Sequence, residues 1–182
     1  MDIRLTVNGK EVALSEEQIK LLGLAPEKKK TGYERMYGGG KYFVQNSSGF
    51  VTELTDDRRK ICQEQYDAAN YYSDYPVCRD NARADKLMRH LRRFAAKNGG
   101  IPSLKDWTTT DGSIPCKDKY YIEFNTTIEQ LYVTSCNRVR TPGVVYFLSE
   151  NACEKAIEVY RDELLWHFTE YEPMLHEGGT NA

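Results

Sequence analysis

DYPVCRDNARADKLMRHLRRFAAKN, residues 74–98, is the stretch on which the reading of this chain turns. Leu87, Met88, Leu91, Phe94 and Ala95 recur at helical spacing and fall on one side of a helix. Arg79, Arg83, Lys86, His90, Arg93 and Lys97 step by threes and fours along another side, and Arg89 and Arg92 widen it. Only Asp80 and Asp85 dilute that face. A helix this positive repels itself unless an anion meets it. The anion is either an acidic surface of the same fold or a partner such as nucleic acid, and residue chemistry leaves both open.

Outward from the helix, the charge is segregated. Between Arg79 and Lys97 seven cations stand against two acids, a net of +5. Between Glu150 and Glu177 eight acids stand against Lys155 and Arg161, a net of −6. The whole chain of 182 residues carries only −2, which excludes a generic basic coat for nucleic acid and an acidic mimic of DNA. The two segments can interlock within the fold or meet separate partners. Exposed faces do not pair easily if both helices turn their apolar sides to one sheet.

Local signals place the other elements. Ile3, Leu5 and Val7, then Asn8-Gly9, then Val12 and Leu14 predict a hairpin, because both residues of a tight two-residue turn need positive φ. Ser15 with Gln18 is a capping box for a short helix ended by Gly23. Residues 41–45 and 50–54 read as a second hairpin, and Thr55-Asp56-Asp57 as the cap of a short helix through Tyr66. Ser73 or Asp74 caps the basic helix, and Gly99-Gly100 and Pro102 stop it. Trp107 anchors the loop that follows. Residues 119–124, 131–136 and 143–148 predict three antiparallel strands. Ser149 caps a last helix to about Tyr171, with Cys153, Ala156, Ile157, Tyr160, Leu164 and Phe168 inward.

The expected class is α+β: a three-stranded antiparallel meander packed against two long amphipathic helices, with N-terminal β-hairpins. The expected organisation is a hairpin and short helix over 1–25, a linker over 26–32, a main domain over 33–172 and a flexible tail over 173–182.

Catalytic chemistry leaves little trace. Gly38-Gly39-Gly40-Lys41 has the residue types of a phosphate loop, but a strand pattern follows where a helix N-terminus is needed. His90, His167 and His176 share no ligand-spaced pair, and Cys62, Cys78, Cys116, Cys136 and Cys153 contain no C-x-x-C, so no metal is expected. Cys116 or Cys136 with a histidine would make a nucleophile pair, and Asp56, Asp57, Asp111, Asp118 and Glu123 are available carboxylates, but no spacing marks either arrangement. No cofactor is expected, and the chain reads as a non-enzyme. It starts without a signal peptide and has no membrane-length apolar run, so a thiol-reduced protein of the cytoplasm is expected.

The order of segments carries a resemblance. Asn70-Tyr71-Tyr72-Ser73-Asp74, then ARADKLMRHLRRFA over 82–95 and VVYFLSENACEKAIEVYRDELLWHF over 144–168, resemble a group of small phage and prophage proteins from gut bacteria. The similarity covers about residues 33–171. With its MDIRLTVNGKEVALSEEQ start, the chain is similar to anti-CRISPR proteins that inhibit the type II-A RNA-guided DNA nuclease. The resemblance implies a stoichiometric inhibitor of the effector–guide RNA complex, with double-stranded DNA as a further partner, working in the cytoplasm of a bacterial host. It assigns no residue a role. The residues for contact are Arg79, Arg83, Lys86, Arg89, His90, Arg92, Arg93 and Lys97. The alternative acidic face is Glu154, Glu158 and Asp162, aimed at the effector's basic channel. A phage DNA-binding accessory or regulatory protein using the same helix is the second reading, and a charged face that meets only solvent is the third.

Overall fold

The computed structural model describes residues 4–7, 10–23, 30–108, 117–137 and 139–177. The chain forms two compact units, Met1–Thr31 and Gly32–Ala182. In the first, β1 (Arg4–Val7) and β2 (Lys10–Ala13) pair antiparallel. Val7 faces Lys10, the register a two-residue connection demands. Asn8-Gly9 itself and most of the expected linker lie outside the described residues. Helix α1 (Glu16–Leu21) starts on the expected capping box: the Ser15 amide donates to Gln18 Oε1 at 2.9 Å, and the Gln18 amide to Ser15 Oγ at 3.3 Å.

The second unit is α+β, built on two cores. The smaller lies under the hairpin of β3 (Lys41–Gln45) and β4 (Val51–Thr55), beside α2 (Lys60–Asp67). Tyr42 and Tyr71 stack there at 4.0 Å beside Val44 and Cys62. Tyr72 adds one bridge to β3 through paired amide bonds with Phe43 at 2.8 and 2.9 Å. The expected cap of α2 is corrected. The cap position is Arg59, and Asp56 is instead fully buried, accepting from the Arg58 amide, Arg35 Nε and the Tyr71 hydroxyl. Burial raises the Asp56 carboxyl, but those three donors outweigh it and hold it below the ordinary range.

The larger core joins α3 (Tyr75–Lys97) to α4 (Glu150–Trp166). Leu87, Leu91 and Ala95 meet Ala152, Cys153, Ala156 and Leu164 around Phe147, which is 1% exposed. Both caps form: the Val77 amide donates to Asp74 Oδ1 at 3.1 Å, and the Ala152 amide to Ser149 Oγ at 3.3 Å. Gly32 lets the chain pass α3 closely. Its φ is +86°, and a Cβ there would stand 2.6 Å from Val77 Cγ2.

Three expectations are corrected here. The meander is two-stranded: β5 (Lys119–Asn125) pairs with β6 (Gln130–Cys136), and the 143–148 run contributes a single bridge, Tyr120 to Phe147. That run begins at a Pro142-Gly143 turn and ends at the cap of α4, and Phe147 is drawn into the core, so little of it is left to pair. The two helices do not share one sheet face alike. Helix α4 contacts β5 and β6, whereas α3 contacts α4 and the β3–β4 hairpin. Finally, the last helix does not stop at Pro173. It widens into a π turn over His167–Tyr171 and continues as α5 (Glu172–Glu177). In the wide turn the Glu172 amide bonds to the His167 carbonyl, and the altered ladder accommodates a proline that would clash inside an ordinary helix. Residues 178–182 of the expected tail lie outside the described residues.

Candidate functional site

The basic helix α3 divides into two halves. In its N-terminal half the cations already hold carboxylates. Arg79 Nε lies 2.8 Å from its neighbour Asp80. Arg83 Nε lies 2.8 Å from Glu163 of α4, with its guanidinium 3.9 Å above the ring of Trp166. The two charged helices thus meet at one rung, although the sequence suggested that their faces pair poorly. On this half, Cys78 and Ala82 are also buried, so α3 is held on more than one side.

The C-terminal half is different. Lys86, Arg89, Arg92, Arg93 and Lys97 are exposed, and none makes an ion pair among the described residues. Lys86, Arg89, Arg93 and Lys97 form a band about 16 Å long at 1.5 Å per residue. Arg89 reaches the turn of the β3–β4 hairpin, where a Cβ added to Gly49 would stand 3.3 Å from its Nη2. His90 is half-buried and packs edge-on to Tyr160 at 5.9 Å. Burial first, then the charges of Arg93, Lys86 and Arg89, hold it below the ordinary histidine range, so it adds a neutral ring to the band at pH 7.

Glu154, Glu158 and Asp162 lie exposed on α4, and none makes an ion pair among the described residues. Both candidate faces are therefore accessible, apart from the rung at Glu163.

The cysteines named by sequence are thiols among the described residues: Cys62, Cys78 and Cys153 are buried and Cys136 is half-buried, while Cys116 lies outside them. Burial pushes Cys78 up to about 11 and Cys153 up to about 12, which suppresses the thiolate a nucleophile needs. Among the described residues no group of histidine, cysteine and carboxylate side chains could hold a metal ion. No helix of the described residues is long and apolar enough to cross a membrane.

Sequence reasoning missed two features. Lys119 is fully buried, donating to the Asn137 carbonyl at 3.0 Å with its ammonium 4.3 Å above the ring of Trp107. The cation at the head of a strand gave no sign of this. His167 and Glu172 meet at 3.3 Å across the π turn, beside a cleft; five residues apart, they fit neither helical spacing that a sequence scan tests.

No family model, curated protein or solved structure matches this chain.

Proposed function

We propose that this protein is an anti-CRISPR inhibitor that binds the type II-A effector–guide RNA complex, with double-stranded DNA as a further partner, and blocks target cleavage. The observation that supports this best is the band Lys86, Arg89, Arg93 and Lys97, which faces solvent with no carboxylate partner among the described residues. Like charges held in a row on a rigid helix repel one another, and phosphates relieve that repulsion while releasing counterions. An effector of this kind carries phosphates on its guide, its heteroduplex and its target. The resemblance to phage anti-CRISPR proteins supplies the choice of target. The role is binding, with no bond made or broken by this chain, and its place of action is the cytoplasm of an infected or lysogenic bacterium.

The test is a cleavage assay with a purified type II-A effector–guide complex, titrated with this protein, with binding to effector and to duplex DNA measured in parallel. Inhibition near one equivalent supports the reading. Changing Arg89, Arg93 and Lys97 together to Glu is expected to remove inhibition while circular dichroism stays unchanged; a folded triple variant of full potency sinks the basic-band version. Arg83 is a poor member to reverse, because a glutamate there would face Glu163 and unsettle the fold. Reversal of Glu154, Glu158 and Asp162 examines the acidic version, which unchanged potency would remove.

The second reading, a phage DNA-binding accessory protein, rests on the same band. It expects duplex binding that weakens steeply with salt and no inhibition of the effector.

A further inference from the structure

A cleft of about 550 Å³ opens in the second unit between α3, β5, residues 141–147 and the π turn. That size suits a small organic molecule. Much of its wall is apolar, with Met88, Leu91, Ile122, Val145, Leu164 and Phe168 contributing. The charged side chains that line it are the acids Asp85, Glu123 and Glu172; neither lysine nor arginine does so among the described residues. By helical geometry Met88 and Leu91 lie on the side of α3 away from Lys86, Arg93 and Lys97, while Asp85, one turn before Arg89, stands where the cleft approaches the band.

His167 sets the character of the cleft. It lines the space, is 8% exposed, and has Nε2 3.3 Å from Glu172 Oε1. Burial holds the ring below the ordinary histidine range against the pull of Glu172, so the ring is neutral at pH 7. An ionised carboxylate only accepts, so Nε2 carries the hydrogen and Nδ1 keeps a lone pair. Nδ1 is buried and has no partner among the described residues. A buried acceptor without a donor is costly. The carboxylates of the cleft call for a cationic donor. Glu123 Oε2 already accepts from the Tyr132 hydroxyl at 2.5 Å and from Thr134 Oγ1 at 2.9 Å. The Tyr132 bond leads in holding it below the ordinary range, so it stays charged. Asp85 Oδ2 accepts from Gln45 Nε2 at 2.7 Å.

We propose that this cleft binds an amphipathic organic cation: a primary ammonium or guanidinium head among Asp85, Glu123 and Glu172, beside the His167 ring, on an apolar body held by the Leu, Met and Phe wall. The same chemistry comes from two sources, a free small molecule or the arginine or lysine side chain of a protein partner.

The test uses the full chain and four six-carbon probes: n-hexylguanidinium and n-hexylammonium against 1-hexanol and hexanoate. Calorimetric titration is expected to give saturable binding of the two cations, at least about tenfold tighter than of hexanol or hexanoate. Glu123→Gln is expected to weaken the cations by about tenfold with hexanol unchanged. The ¹⁵N resonance of His167 Nε2 reports on the intact protein and needs no variant: a cation at Glu172 is expected to shift it. Absence of saturable cation binding, equal affinity for hexanol, or an Nε2 resonance that stays put at saturation would each overturn the proposal. A capped Leu-Arg-Leu peptide separates the sources, both of which support the cleft. Tighter binding of the peptide than of n-hexylguanidinium assigns it to a partner's side chain, and the reverse to a free molecule.

Discussion

Arg83 and Glu163, eighty positions apart, are joined by a 2.8 Å ion pair that ties the basic helix to the acidic one. Both side chains are nearly half exposed, at 40% and 46%, so the pair is worth only about 0.2–1 kcal/mol, and the guanidinium over Trp166 adds about 0.5–1 kcal/mol. Arg83→Ala should therefore lower stability by about 1–2 kcal/mol. Urea unfolding of Arg83→Ala, Glu163→Ala and the double variant should return a coupling of about 0.5–1 kcal/mol; strictly additive effects would show that the rung contributes nothing.

The division of α3 into a paired and an unpaired half predicts a rank order. Arg79→Ala and Arg83→Ala should leave inhibition within about twofold of the parent, whereas Arg93→Glu should raise the half-inhibitory concentration about tenfold or more. If duplex DNA is held by the band, each cation removed should reduce the slope of log affinity against log salt by about 1. Equal effects from Arg79 and Arg93 would place the contact elsewhere.

Asp56 should dominate the stability of the smaller core. It is fully buried and accepts from Arg35, which keeps Gln63 Oε1 and the Tyr66 ring as other partners, so Asp56→Asn loses charge-assisted bonds and should cost about 1.5–3 kcal/mol. The pH dependence follows from the lowered carboxyl. The stabilisation is fully present above the ordinary carboxylate value of 3.8 and is lost as pH falls through the lower folded value. Chemical denaturation at pH 7 and pH 3 should show the parent losing more stability on acidification than Asp56→Asn. A parallel loss in both would remove Asp56 from that role.

Ala69 offers a gain. It sits in the left-handed region at φ 53°, just past the end of α2, where its Cβ is crowded. Ala69→Gly should raise stability by about 0.5–1 kcal/mol, the relief of strain exceeding the extra entropy of the unfolded chain. A lower thermal midpoint for the variant would mean that the Ala69 side chain contributes packing that outweighs its strain.

The two long helices were legible in the sequence because each carries its own punctuation. Asp74 and Ser149 cap, Gly99-Gly100 stops, and the apolar stripe ending at Ala95 and the one running through Leu164 face each other as spacing predicts. The hairpins were legible for the same local reason. The third strand was not: the apolar run of residues 143–148 records burial of Tyr146 and Phe147, and burial without a partner edge looks the same in a sequence. The candidate site was half legible. Composition marked α3 as basic, but which cations stay free depends on Glu163 arriving from a distant segment, and no local pattern encodes that. The cleft was not legible, because its acids come from α3, β5 and the far side of the π turn.

The wide turn at His167–Tyr171 makes the acid–imidazole contact a product of pitch. At about 100° per residue, positions 167 and 172 of a regular helix would point about 140° apart, on different faces. The extra residue in the turn brings Glu172 back to within 3.3 Å of His167 and sets Phe168 and Tyr171 along the same cleft. The chain therefore stores this contact in a length as well as in residue types. The contact needs either the wide turn or a chain one residue shorter: at the present spacing regular winding would part the pair, whereas a deletion within 168–171 would leave His167 and Glu172 four apart and still neighbours.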